Sequence, residues 1–121
     1  MMVVATDAPL DTRTLARLAM RSMLGIARTG SVAENGSGDY VIAFSTNESV
    51  RRVRESNEPM LAPTLLNSSM NPLFTATVDA TEEAVYNALL QATTVESSRG
   101  RLSAIPVDEV IRVLREYSIS E

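Results

Sequence analysis

The pattern of apolar and polar positions at the start of the chain predicts a strand followed by a helix. Five consecutive apolar residues, Met1–Ala5, are typical of a strand that is covered on both faces. The segment Thr6–Pro9 ends this run, and Asp11 or Thr12 is expected to cap a helix that ends near Gly30. Apolar and small side chains recur along this helix at helical spacing, at Leu15, Leu18, Ala19, Ser22 and Ile26.

A second strand is predicted at Tyr40–Thr46, because the side chains of a strand alternate between two faces. One face would carry Tyr40, Ile42 and Phe44, and the other would carry Val41, Ala43 and Ser45. The stretch from Asn47 to Pro72 is irregular and mixes arginines with glutamates. It predicts a solvated loop with a turn or two of helix, although a loop of this length is also a candidate assembly surface.

The second half of the chain predicts one more strand and two more helices. Leu73–Val78 alternates sufficiently for a third strand, and Thr81 is expected to open a helix. That helix would pack through Val85, Ala88, Leu89 and Ala92. After a polar turn at Ser97–Gly100, Pro106 is expected to start the last helix. Its apolar stripe consists of Val107, Val110, Ile111, Leu114 and Tyr117.

These elements together predict the α/β fold class in a layered α+β arrangement. The length of 121 residues predicts a single domain, residues 1–121, which is also short enough to be half of something larger. Three strands are few for a stable sheet. The chain is therefore expected to complete its sheet with a partner.

Composition narrows the possible chemistry. The formal net charge is -4, from 15 acidic and 11 basic residues, and the arginines alternate with glutamates, so no nucleic-acid partner is expected. No apolar run approaches the roughly 20 residues of a membrane span, so no membrane partner is expected either. The chain contains no cysteine and no histidine, which predicts chemistry by hydroxyls, carboxylates, amines and backbone groups, with no metal and no cofactor. The absence of cysteine is equally compatible with the cytoplasm and the periplasm.

Ser37 and Asp39 form the most suggestive pair in the sequence, within Asn-Gly-Ser-Gly-Asp at the mouth of the second strand. Side chains two residues apart on an extended segment point to the same side, while Tyr40 would anchor the other face. A carboxylate can accept a hydrogen bond from the serine hydroxyl. The polarised hydroxyl can then hold a second nucleophile or an attacked carbonyl. The same five residues are also an ordinary turn composition, so both readings stay open.

Four segments of the chain, in this order, closely resemble the small β-subunit of the DmpA family of serine aminopeptidases. This family comprises the L-aminopeptidase/D-esterases and the β-peptidyl aminopeptidases. The resemblance covers essentially the whole chain. The segments are "VVATDAPL" at Val3–Leu10, "GIARTGS" at Gly25–Ser31, "NGSGDYVIAFST" at Asn35–Thr46 and "DATEEAVYNAL" at Asp79–Leu89.

The resemblance implies a precursor that cleaves itself at a Gly-Ser bond into a larger α-subunit and this small β-subunit. It implies an αββα sandwich built by both subunits, and a higher oligomer of αβ heterodimers. The new N-terminal serine would be the nucleophile, supported by Ser37 and Asp39 as catalytic residues. Substrates would be peptides, amides or esters with a free amine, bound mostly by the α-subunit.

One departure from the family pattern concerns the nucleophile. The family has a Gly-Ser pair and a short apolar run before "ATDAPL", whereas this chain has only Met1–Val4 there, so the serine is expected upstream of Met1. One alternative is a catalytically silent scaffold or amine-binding subunit. Another is an acyl transferase of the ornithine acetyltransferase kind, which uses threonine; the "ATDAPL" and "NGSGD" segments argue against it.

Overall fold

The computed structural model describes residues 1–52, 54–55 and 63–117. Contacts divide the chain into two compact units, Met1–Glu83 and Ala84–Glu121. The elements, in chain order, are β1 (Met2–Thr6), α1 (Thr12–Arg28), β2 (Val41–Ser45), the short 3₁₀ helices Glu48–Val50 and Asn67–Ser69, α2 (Asn71–Leu90), β3 (Val95–Ser97), β4 (Gly100–Leu102) and α3 (Val107–Glu116). The mixed α/β class predicted from the sequence is confirmed. A single domain over residues 1–121 stays a prediction.

Helix α1 begins and ends where the sequence predicts. The Asp11 carboxylate accepts the Thr14 backbone N–H at 2.7 Å and the Thr14 hydroxyl at 2.6 Å, so Asp11 rather than Thr12 is the N-cap. At the other end, Gly30 has a φ of +96° and its N–H donates to the Ala27 carbonyl at 3.1 Å. The positions expected to face inward are all buried or half-buried.

Strands β1 and β2 pair in parallel, with α1 as the crossover that a parallel pair requires. Met2 lies opposite Val41, and the register continues without a break to Thr6 opposite Ser45. The predicted alternation of β2 is confirmed, since Ile42 and Phe44 are exposed while Val41, Ala43 and Ser45 are half-buried. β1 repeats this pattern, so one apolar face of the sheet is exposed in this chain.

The core of the first unit lies between the inner face of this sheet and the two long helices. Leu10, Leu18 and Met70 are almost completely buried and form its centre. Half-buried apolar side chains pack around them, at Val4, Ala8, Leu15, Leu65, Leu73 and Phe74. Burying these side chains is the main stabilising contribution to the unit, because apolar area removed from water contributes about 25 cal/mol per Å².

The third strand predicted at Leu73–Val78 is wrong, because these residues form the first half of α2. Threonines give this segment its strand-like pattern, yet each satisfies its hydroxyl within the helix. Thr77 donates to the Leu73 carbonyl at 2.8 Å and Thr81 donates to the Thr77 carbonyl at 2.7 Å. Thr81 is therefore an interior residue of α2, and the expectation that it opens a helix is also wrong.

Two contacts hold α1 against α2 within the first unit. Gly25 lies so close to α2 that a Cβ there would be 2.6 Å from the Thr81 Cβ and 2.7 Å from the Val78 carbonyl oxygen. At the end of α1, the Arg28 guanidinium pairs with Asp79 at 2.6 Å and with Glu82 at 3.3 Å. These hydrogen bonds, chiefly the one with Asp79, raise the pKa of Arg28 above its usual value.

The second unit contains a hairpin and a short helix. β3 and β4 pair antiparallel around the polar turn predicted at Ser97–Gly100, with Val95 opposite Leu102. The two strands themselves were not expected from the sequence. Helix α3 begins directly after Pro106, as predicted, and Arg112 pairs with Glu109 at 2.9 Å and with Glu116 at 3.2 Å along its surface.

The irregular stretch predicted between Asn47 and Pro72 contains the two short 3₁₀ helices in its described part. Residues 53 and 56–62 of that stretch lie outside the described residues, and the assembly-surface alternative stays a prediction. None of the helices in the described ranges combines the length and the apolar character needed to cross a membrane.

Candidate active site

The structure brings Ser37 and Asp39 into direct contact. The Ser37 hydroxyl donates to Oδ2 of Asp39 at 2.7 Å, as the two-residue spacing predicts. The Ser37 backbone N–H donates to the Glu34 carbonyl at 2.8 Å, and Gly36 has a φ of +96° that a residue with a Cβ rarely adopts. The local turn therefore fixes the backbone that carries Ser37.

The hydrogen bond defines what this pair can do chemically. An O–H donor to a carboxylate is a charge-assisted bond, which is roughly twice as strong as a bond between neutral groups. With its proton directed at Asp39, the Ser37 oxygen can accept a hydrogen bond from a further hydroxyl or amine. The pair is therefore suited to orienting a nucleophile and sharing its proton, although its catalytic role stays a prediction.

The pair lies at the end of the sheet where β1 begins. The Met2 backbone N–H donates to the Tyr40 carbonyl at 2.8 Å, which makes Met2 and Val41 the first pair of the parallel ladder, directly after Asp39 and Tyr40. Because the strands are parallel, the residues that precede β1 and those that precede β2 share this end of the sheet. Residues 31–40 are all exposed in this chain.

The sequence suggested that Tyr40 anchors the other face of the strand, but in this chain it does not. Tyr40 is 69% exposed, and its ring lies on the side of Gly38 to which a side chain would project. A Cβ at position 38 would lie 3.3 Å from Cε2 of Tyr40 and 3.9 Å from its hydroxyl. Alternation along a strand does not predict such a contact between residues 38 and 40.

An open depression of about 380 Å³ adjoins Ser37. Loop residues line it, at Gly30, Ser31, Val32, Ala33, Glu34, Asn35 and Ser37. Within the described ranges, Ala33 alone among the non-glycine residues has a positive φ, of 49°. That conformation costs roughly 1–2 kcal/mol for a residue with a Cβ, and such strain clusters at functional sites.

The residues around this loop do not resemble a metal site. Across the part of the chain that the structure describes, no three acidic side chains come together in a way that could hold a metal ion. The chemistry available near Ser37 is that of a hydroxyl, a carboxylate, a phenol and backbone groups.

Comparison with known proteins assigns the chain to a class of peptidases. The sequence model of peptidase family S58 matches residues 1–103, and the chain belongs to this family.

Individual relatives agree with this assignment. The chain is 35% identical over 116 residues to the β-peptidyl aminopeptidase BapA of Sphingosinicella xenopeptidilytica, a match that covers 95% of this chain and 29% of that protein. It superposes with a TM-score of 0.86 and 42% identity on the PH0078 protein from Pyrococcus horikoshii OT3, covering 97% of this chain and 33% of that one. The chain also superposes on the L-aminopeptidase D-Ala-esterase/amidase of Ochrobactrum anthropi, with a TM-score of 0.85 and 35% identity, covering 97% of this chain and 33% of that one. That enzyme is described as a prototype of the serine aminopeptidases with a variant of the Ntn hydrolase fold.

The chain spans about a third of the length of these relatives. That proportion is consistent with a small subunit of a larger processed protein.

Proposed function

We propose that this chain is the small subunit of a self-processed serine aminopeptidase, which removes N-terminal residues from peptides, amides or esters that have a free amine. Membership of family S58 and the one-third coverage of the relatives support this proposal. The observation that carries it is the hydrogen bond between Ser37 and Asp39 at the end of the sheet where β1 begins.

The strand register indicates where a nucleophile would lie. Met2 lies opposite Val41 and the offset is constant, so continued pairing places the residue directly before Met1 opposite Asp39. The residue before that one would lie opposite Gly38, the residue that separates Ser37 from Asp39 in the sequence. We assign the nucleophilic serine, exposed by cleavage of a Gly-Ser bond, to this second position.

A mechanism without histidine follows from these positions. The nucleophilic hydroxyl attacks the substrate carbonyl, and its proton passes to the free α-amine of the same serine, whose reference pKa is near 8. Ser37, held by Asp39, orients the nucleophile and shares this proton. The proton then leaves with the departing amine or alcohol. Water attacks the resulting ester of the serine, which releases the acid and restores the hydroxyl.

The exposed face of the sheet supports a larger subunit as partner. Ile42 is 53% exposed and Phe44 is 44% exposed, although both are apolar and lie in a parallel sheet. Parallel sheets are normally covered on both faces. We therefore propose that the larger subunit supplies the second sheet of an αββα sandwich, together with the oxyanion donors. Assembly of these heterodimers into a higher oligomer stays a prediction.

The proposal is tested with Ser37→Ala and Asp39→Asn in the complete protein, assayed on L-alanyl and β-alanyl p-nitroanilides. We expect kcat to fall about 100-fold or more for Ser37→Ala, because general acid–base groups typically contribute 10²–10⁴-fold. Ser31→Ala is the matched control, since Ser31 is an exposed serine of the same loop whose hydroxyl accepts only a long bond of 3.4 Å from Ala33.

The intact mass of the small subunit provides an independent check. We expect two residues before Met1, the first of them serine. Rates that are unchanged in both variants would refute the role of the pair. A subunit that lacks this serine and hydrolyses neither substrate would instead indicate a silent scaffold.

A further inference from the structure

Asn35 and Gly36 occupy the middle of the turn that precedes Ser37. The Ser37 backbone N–H donates to the Glu34 carbonyl at 2.8 Å and closes this turn. Gly36 has a φ of +96°, which a residue with a Cβ rarely adopts. Both central residues are exposed, and within the described ranges neither the Asn35 side chain nor the Gly36 backbone N–H is hydrogen-bonded to the protein. The asparagine amide and the backbone nitrogen that follows it can therefore approach each other.

The Asn-Gly sequence permits a reaction between these two neighbours. The backbone nitrogen of Gly36 attacks the carbonyl carbon of the Asn35 side chain, and the new C–N bond closes a cyclic imide. The bond from that carbon to the side-chain nitrogen breaks, and ammonia leaves with the proton given up by the Gly36 nitrogen. Glycine favours this step because it has no side chain to hinder the approach of the backbone.

Water then opens the ring by cleaving either of the bonds that join a carbonyl carbon to the Gly36 nitrogen. Cleavage of the bond to the former side chain gives aspartate. Cleavage of the bond to the main-chain carbonyl gives isoaspartate, in which the chain runs through the side chain and the backbone is longer by a methylene group. Water is the only co-reactant, and no oxidant or reductant is needed.

The extra methylene group would fall inside the turn that positions Ser37. The hydrogen bond between the first and fourth residues, Glu34 and Ser37, defines this turn. A longer backbone between them would separate the donor from the acceptor and shift Ser37 relative to Asp39. The 2.7 Å hydrogen bond between Ser37 and Asp39 would then be lost. Both products also add a carboxylate to a loop that already contains Glu34 and Asp39.

We propose that Asn35 is a site of spontaneous deamidation, and that isoaspartate at this position inactivates the enzyme by separating Ser37 from Asp39. The second part of the inference rests on the proposed function. The loop stays in contact with water in the complete protein, because a substrate must reach the same pair of residues. Activity therefore declines with the age of the molecule, in proportion to the fraction of chains that carry isoaspartate.

The test incubates the complete protein at mildly alkaline pH and follows position 35 by peptide mass spectrometry and by labelling with an isoaspartyl methyltransferase. We expect aspartate and isoaspartate to accumulate there, while Asn47 and Asn71 stay unchanged as internal controls. The Asn47 side chain is held in place, because it donates to the Asp7 carbonyl at 2.8 Å and accepts from the Ser49 N–H at 3.0 Å. Asn71 precedes Pro72, whose nitrogen has no proton to give up.

Activity on L-alanyl and β-alanyl p-nitroanilides is measured on the same samples. We expect kcat of the isoaspartate fraction to be about 100-fold lower or less, as for Ser37→Ala, so total activity should fall as isoaspartate accumulates. Asn35→Gln is the matched variant, because its longer side chain would have to close a larger ring. Asn35 is not among the residues with a positive φ, so glutamine fits the same backbone. This variant should lose no activity during the incubation.

Asn35→Asp separates the effect of charge from that of the backbone. Assayed before any incubation, it carries the added carboxylate on a backbone of normal length, and it should retain far more activity than the isoaspartate fraction. An isoaspartate content at position 35 no higher than at Asn71 would overturn the inference, as would complete conversion with full activity. If the fresh protein hydrolyses neither substrate, the proposed function fails, whereas the mass spectra still decide whether Asn35 is the modified residue.

Discussion

Replacing Gly25 by alanine tests whether α1 and α2 contact each other as closely as the structure indicates. The added Cβ would lie 2.6 Å from the Thr81 Cβ, 2.7 Å from the Val78 carbonyl oxygen and 3.0 Å from the Thr81 Cγ2. Carbon atoms attract optimally at about 3.5–4.0 Å, so the two helices would have to separate by roughly 1 Å. Neither the Thr81 Cβ nor the Val78 carbonyl is the flexible end of a side chain, and the strain cannot be relieved by a change of rotamer.

Two opposing effects determine the magnitude. Overpacking a well-packed contact typically costs 1–3 kcal/mol, and a clash against backbone belongs at the upper end of that range. Alanine in place of glycine in a helix contributes about 1 kcal/mol in the stabilising direction. We therefore expect Gly25→Ala to lower the free energy of unfolding by about 2 kcal/mol.

The assay is equilibrium denaturation of the complete protein by urea, with Ala27→Gly as the matched control. Ala27 is an exposed residue of α1, so this control measures helix propensity in the same helix without the clash. It should cost about 1 kcal/mol. Thr81→Ala should not rescue Gly25→Ala, because the Val78 carbonyl stays in place. If Gly25→Ala instead raised the free energy of unfolding by as much as Ala27→Gly lowers it, the close contact would be refuted.

Two further predictions concern the core and the cap of the first unit. Leu18 is 1% exposed and lies at the centre of the core. Leu18→Ala should therefore lower the free energy of unfolding by about 3 kcal/mol, measured by urea denaturation. A loss below about 1 kcal/mol would contradict the central position of Leu18 in the core. Hydrogen bonds from the Thr14 hydroxyl and backbone N–H hold the pKa of Asp11 below its usual value. Its contribution to stability is therefore complete above about pH 4 and is lost as the pH falls through the lower folded-state pKa. Asp11→Asn keeps an accepting oxygen for the cap but does not titrate, so its stability should decline less between pH 5 and 2 than that of the unaltered protein; parallel declines would contradict the prediction.

The candidate site was partly predictable from the sequence. The spacing of Ser37 and Asp39 predicted the contact between them, because that contact is local. Their place beside the start of β1 depends on a pairing between residues about 39 positions apart, Met2 with Val41. The position of the Tyr40 ring over Gly38 was not predictable, since a strand pattern assigns a side chain to a face and not to a neighbour on its own strand.

Local patterns in the sequence were sufficient for β1, α1, β2 and α3. Each of these elements has a distinct apolar run or periodicity and a nearby breaker or cap, as at Asp11, Gly30 and Pro106. Such signals act within a few residues, where propensity, capping and side-chain alternation make their contributions.

Tertiary contacts decided the first half of α2 and the relation of the helices. The threonines of Leu73–Val78 favour a strand by local pattern, whereas the buried contact of Val78 and Thr81 with Gly25 exists only when the segment is helical. The pairing of Arg28 with Asp79 likewise joins residues 51 positions apart. Local propensities differ by less than about 1 kcal/mol per residue, so a few packed contacts between distant segments are sufficient to override them.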